Sequence, residues 1–162
     1  MMSKTLVSTA LVLCVAFAGN VASAEPLGPL NLLVDPSGEA WIVNPSTEAL
    51  GFEGYQISSV VGNLNPAGWY SLTDRGEPGW EVLSSSDTLL AEAVGVISTD
   101  FYTLDPGGSV SLGSPVDAET PLEDLDFLYT SPDGELFEGT VVPEPTTLGL
   151  LSLAGLVFIR RR

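Results

Sequence analysis

Four tetrapeptides with proline second and glycine fourth divide the middle of this chain into short pieces. They are Asp35-Pro36-Ser37-Gly38, Asn65-Pro66-Ala67-Gly68, Asp105-Pro106-Gly107-Gly108 and Ser131-Pro132-Asp133-Gly134. Proline presets the φ that the second residue of a type I turn requires, glycine suits the fourth place, and Asp, Asn or Ser in the first bonds the backbone that comes after it. Each tetrapeptide therefore predicts a reversal of the chain. Short β-type runs lie between them. Leu30 to Val34 and Glu39 to Val43 predict a hairpin around the first turn. Phe52 to Val61 places Tyr55, Ile57, Ser59 and Val61 on one face. Trp80 to Leu83, Val96 to Leu104 and Ser109 to Leu112 come next, and Leu125 to Thr130 with Leu136 to Val142 predict a second hairpin around the fourth turn. Seven or eight short strands between residues 25 and 142 predict an all-β domain, an antiparallel β-sandwich of jelly-roll or immunoglobulin-like type. One short helix is expected within it, because Ser86-Asp87 offers an N-cap to the helix formers of Thr88 to Ala93.

Charge and residue types narrow the chemistry. All 21 acidic residues lie between Glu25 and Glu144, and Arg75 is the one basic residue among them, a net of −20 for that segment. Such a surface repels nucleic acid and anionic lipid, so no nucleic-acid partner is expected. It attracts divalent cations or basic partners, and it also keeps a protein soluble. The segment has no His, no Cys and no Lys. Ser-His-Asp, Cys-His and Ser-Lys nucleophiles are thereby excluded within the chain, as are disulfides and thiolate or imidazole metal sites. A carboxylate pair of the glycosidase kind stays open, but nothing in the spacing singles one out. The domain is expected not to be an enzyme.

Two weaker patterns concern ligands. Asp117, Glu119, Glu123, Asp124 and Asp126 crowd one stretch, and Ca²⁺ favours six to eight oxygen ligands. EF-hand spacing is missing, and alternation puts Asp124 and Asp126 on one solvent-facing side, as in any solvated strand. No cofactor is expected, with Ca²⁺ the one candidate. Trp69, Tyr70 and Trp80, with Trp41, are the aromatic side chains that could form a carbohydrate platform, and equally the large rings that a disulfide-free core requires.

Both ends read as addressing. Lys4 precedes an apolar run from Leu6 to Gly19, and Ala22-Ser23-Ala24 forms an A-x-A cleavage site, so residues 1–24 predict a secretory signal peptide. This implies export through the Sec machinery, cleavage by signal peptidase after Ala24 and a mature chain from Glu25. Cys14 is preceded by Leu13, which does not fit a lipoprotein signal. The C-terminal residues 143–162 run Pro143-Glu144-Pro145, then an apolar stretch from Thr146 to Ile159, then Arg160-Arg161-Arg162. That stretch is about 21 Å long as a helix, short against a hydrocarbon core of about 30 Å. The arginines should stay on the cytoplasmic side as stop-transfer charges.

A Pro-Glu-Pro triplet, a short apolar helix and a terminal arginine cluster, in that order, resemble the PEP-CTERM sorting signal. The resemblance implies that Pro143, Glu144 and Pro145 are the recognition motif. It also implies that exosortase, a membrane protease-transpeptidase, processes the tail, leaving the domain of residues 25–142 at the cell surface or in the extracellular matrix. A looser resemblance, to a β module of planctomycete-type PEP-CTERM proteins, rests on Phe52-Glu53-Gly54-Tyr55-Gln56-Ile57, Gly68-Trp69-Tyr70-Ser71-Leu72 and Val110-Ser111-Leu112-Gly113-Ser114-Pro115. The resulting expectation is a structural or adhesive protein of the exopolysaccharide or biofilm layer, the alternative a lectin-like, carbohydrate-binding module assisted by calcium.

Overall fold

The structure, a computed structural model, describes residues 27–144 except 96, 97 and 99. All four turns close as their sequences require. The glycine N–H donates to the carbonyl three residues back in each: Gly38 to Asp35 at 3.0 Å, Gly68 to Asn65 at 3.1 Å, Gly108 to Asp105 at 2.8 Å and Gly134 to Ser131 at 2.9 Å. Asp35 adds side-chain bonds from the Ser37 and Glu39 amides at 2.8 and 2.9 Å, so the first turn is fixed from both sides.

Ten strands form among the described residues: β1 (Leu27–Val34), β2 (Ala40–Val43), β3 (Leu50–Phe52), β4 (Gly54–Ser59), β5 (Trp80–Ser85), β6 (Leu89–Val94), β7 (Tyr102–Leu104), β8 (Ser109–Ser111), β9 (Leu125–Thr130) and β10 (Leu136–Pro143). Eight belong to one sheet in the order β5-β6-β4-β9-β10-β1-β2-β8, while β3 and β7 pair separately. The fold is all-β, as the turn spacing predicts. Its one pairing out of pattern lies in the middle of the large sheet, where β1 and β10 run parallel, from Leu27↔Glu138 to Val34↔Pro143. Every other ladder is antiparallel.

The sheet curls over one apolar core. Leu30, Leu32 and Ile42 from one half meet Ile57, Leu90 and Phe127 from the other, all at or near zero exposure. At one end an aromatic group closes the core: Phe52 packs edge-on to Trp80 at 5.7 Å and to Tyr55 at 6.2 Å, and meets Tyr102 at 5.6 Å. Near the sheet's centre Phe127, Tyr129 and Phe137 stack in a row with centroids 5.9 and 5.5 Å apart.

Three local expectations are corrected. The short helix over Ser86–Ala93 is the turn and second strand of a β5–β6 hairpin. Ser86 does cap, but its hydroxyl accepts from the Leu89 amide at 3.0 Å across a tight turn. Pairing of β6 with β5 on one side and β4 on the other outweighs the helix propensity of Leu, Ala and Glu. The run from Phe52 to Val61 breaks at Glu53, whose amide and carbonyl bond Thr130 and Val94, so β3 leaves for the small sheet; Val61 is exposed. The expected strand Val96–Leu104 is confined, among the described residues, to Tyr102–Leu104.

Gly139 carries the packing of this centre. A Cβ there would run into the Phe127 ring and the Leu30 carbonyl. Gly139→Ala should therefore cost about 1–3 kcal/mol by overpacking, seen as a lower thermal midpoint in calorimetry; an unchanged midpoint would contradict the packing.

Candidate functional site

The first two residues of the sorting triplet belong to the folded sheet. β10 is an eight-residue strand whose last residue, Pro143, lies opposite Val34 of β1. The next amide, of Glu144, donates to the Val34 carbonyl at 2.9 Å. Both residues are solvent-exposed. Proline is tolerated here because this is a strand terminus, where no ladder bond from its nitrogen is required. Pro145, the apolar stretch, Arg160 to Arg162 and the leader with Ala22 and Ala24 lie outside the described residues. Among the described residues no helix is long and apolar enough to cross a membrane.

The aromatic candidates are pulled apart. Trp80 opens β5 at 6 % exposure, within the aromatic group around Phe52. Trp69 is 8 % exposed, and its indole N–H donates to the Tyr55 hydroxyl at 3.1 Å. Both are core residues, so neither offers a face to a sugar. Tyr70, next in the chain, is 47 % exposed. Its ring carries the Arg75 guanidinium at 4.7 Å, and the same guanidinium donates to the Ser111 carbonyl.

Beneath this surface lies the polar centre of the domain. Glu92 of β6 is fully buried. One carboxylate oxygen accepts from the Tyr55 hydroxyl at 2.6 Å and the Leu72 amide at 2.7 Å; the other accepts from the Thr73 amide and hydroxyl, both at 3.1 Å. The carboxylate thus clamps the segment from Trp69 to Thr73 onto the sheet. Burial raises the Tyr55 hydroxyl well above the ordinary tyrosine range, and the charge and hydrogen bond of Glu92 add to the rise. Tyr55 therefore remains a proton donor to Glu92. Sequence reading missed this group because Glu92 sits in a stretch that reads as a short helix; the signal is its place between Leu90 and Val94 in an alternating strand.

The acidic run does not converge. Asp117 and Glu119 lie on a loop, Glu123 and Asp124 in a single 3-10 turn (Leu122–Asp124), and Asp126 on the outer face of β9. Among the described residues no three acidic side chains are placed to hold one metal ion.

The model of the PEP-CTERM protein-sorting motif matches residues 141–162. The chain carries a PEP-CTERM sorting motif. It is accordingly an exported protein that exosortase recognises, held transiently in the membrane by its tail and then associated with the surface. The match begins at Val141, so the PEP-CTERM motif and β10 overlap by three residues. It does not extend to the stretches that resemble the planctomycete-type module. No curated protein matches the chain in sequence. Among solved structures, a chain from a crystal of a CaDoc0917–CaCohA2 complex is similar at 10 % identity and a TM-score of 0.37, covering 70 % of this chain and 93 % of that one.

Glu92→Ala would leave the buried Leu72 amide and Tyr55 hydroxyl, and the half-buried Thr73 amide, without an acceptor. At about 1–3 kcal/mol for each buried orphaned group, denaturant unfolding should register a loss of at least about 2 kcal/mol. Glu92→Gln, which keeps one acceptor oxygen, should lose less. Equal and negligible losses in both would contradict the clamp.

Proposed function

We propose that this protein is a non-enzymatic structural or adhesive component of the exopolysaccharide or biofilm matrix, delivered there through its tail. One observation carries the reading: the sorting motif grows directly out of the central strand of a strongly acidic β domain, with no linker between them. A domain so placed serves as the cargo itself, held close to whatever the tail is joined to. Among the described residues every buried side-chain polar atom has a hydrogen-bond partner, so the polar groups of the interior serve the packing of the domain. The lectin-like alternative draws no support from Trp69 and Trp80, whose faces are consumed by the core.

A strain lacking the protein should form a matrix that disperses more readily under shear. The intact chain should restore cohesion, and a chain ending at Val142 should not. In the restored culture, mass spectrometry of the matrix fraction should find chains that begin at Glu25 and lack Arg162. Unchanged cohesion in the deletion strain would contradict the structural role. Chains that keep Arg162 in the membrane fraction alone would contradict release to the matrix.

A further inference from the structure

β9 and β10 run side by side only as far as Gly139↔Phe127. Beyond that point β9 stays with β4, through Ser58↔Asp126 and Ser59↔Leu125, while β10 stays with β1 to Val34↔Pro143. The two strands part in the middle of the sheet and leave a groove of about 260 Å³, lined by Leu122, Leu125, Asp126, Glu138, Thr140 and Val141 among others. Alternation fixes what β10 presents to it. The Glu144 amide points at β1, so Val142 and Thr140 do as well, and the N–H and C=O of Val141 with the C=O of Pro143 face the groove. Asp126 and Glu138 stand exposed on its rim above the buried Leu125.

We propose that this groove receives an extended, positively charged segment of the sorting protease, which adds as a strand beside Val141–Pro143. The proposal rests on recognition by exosortase and goes beyond the motif itself, since it places part of the docking surface in the folded domain. Three observations select this occupant. A strand edge offers main-chain hydrogen bonds to an extended partner and to little else. The rim is acidic, and the domain's single basic residue, Arg75, is engaged with Tyr70 and Ser111. The groove is continuous with the matched motif, which starts at Val141. A second copy of this chain would instead bring its own net −20 against two carboxylates.

The test monitors tail removal in pulse-chase on the full chain, in cells with their own sorting protease. The charge-reversed groove, Asp126→Lys with Glu138→Lys, should slow loss of the Arg162-bearing tail on the order of ten-fold, with an unchanged thermal midpoint in the purified protein. The milder pair Asp126→Asn with Glu138→Gln should slow it less. Glu48→Lys with Glu135→Lys, exposed at the opposite end of the sheet, should process at the wild-type rate. Groove variants processed as fast as wild type, or slowed no more than the distal pair, would overturn the docking groove and leave sorting intact. A wild-type chain that keeps Arg162 throughout would overturn both.

Discussion

The parallel pairing of β1 with β10 is the contact on which the rest of the domain depends. It joins the two halves of the large sheet, β5-β6-β4-β9-β10 on one side and β1-β2-β8 on the other. The first described strand thereby meets the last across the whole intervening chain. Closing so long a loop costs conformational entropy, which grows slowly with length but must be met before the contact gives anything back. No disulfide can share that cost, since Cys14 is the chain's one cysteine. Apolar burial does so instead. Leu30 and Leu32 of β1 are fully buried, and the Phe127–Tyr129–Phe137 stack lies across the junction, with Gly28 and Gly139 leaving room for its rings.

This closure ties the fold to export. β10 lies between β9 and β1, so the sheet is incomplete until β10 is in place. The same strand runs straight into the sorting motif, and its Val141, Val142 and Pro143 serve both. Folding and sorting therefore converge on one short stretch of backbone, with the finished domain on its N-terminal side and the address on its C-terminal side. Within the finished domain the polar interior is spent on architecture: Glu92 holds the Trp69–Thr73 segment in place, and Arg75 caps Tyr70 outside it.

The parts of this fold legible in the sequence are those with local causes. Each Pro-Gly turn is decided by four residues, and all four form. The two hairpins around the first and last of them arise from turn and alternation alone. Failures arise where distant partners decide. Thr88 to Ala93 has the local preference of a helix, yet two flanking strands claim it for the sheet. Trp69 and Trp80 sit beside turns, as exposed platforms would, but Tyr55 and Phe52 draw them inward. The parallel closure and the parting of β9 from β10 leave no local mark at all, because they depend on the pairing of β10 with β1 and of β9 with β4, partners far apart in the chain. Of the sorting site, the motif is plain in the sequence; its attachment to Val34 is not.

Amide hydrogen exchange at the Glu144 and Val142 backbone, on the intact chain from Glu25 to Arg162 in detergent micelles, tests the union of fold and sorting motif most directly. Both amides should exchange slowly, Val142 as part of the β1–β10 ladder and Glu144 through its bond to the Val34 carbonyl. Exchange of both at the rate of an unstructured peptide, while Leu32 and Ile57 stay protected, would contradict the account, because the motif would then hang free of a domain that closes without it.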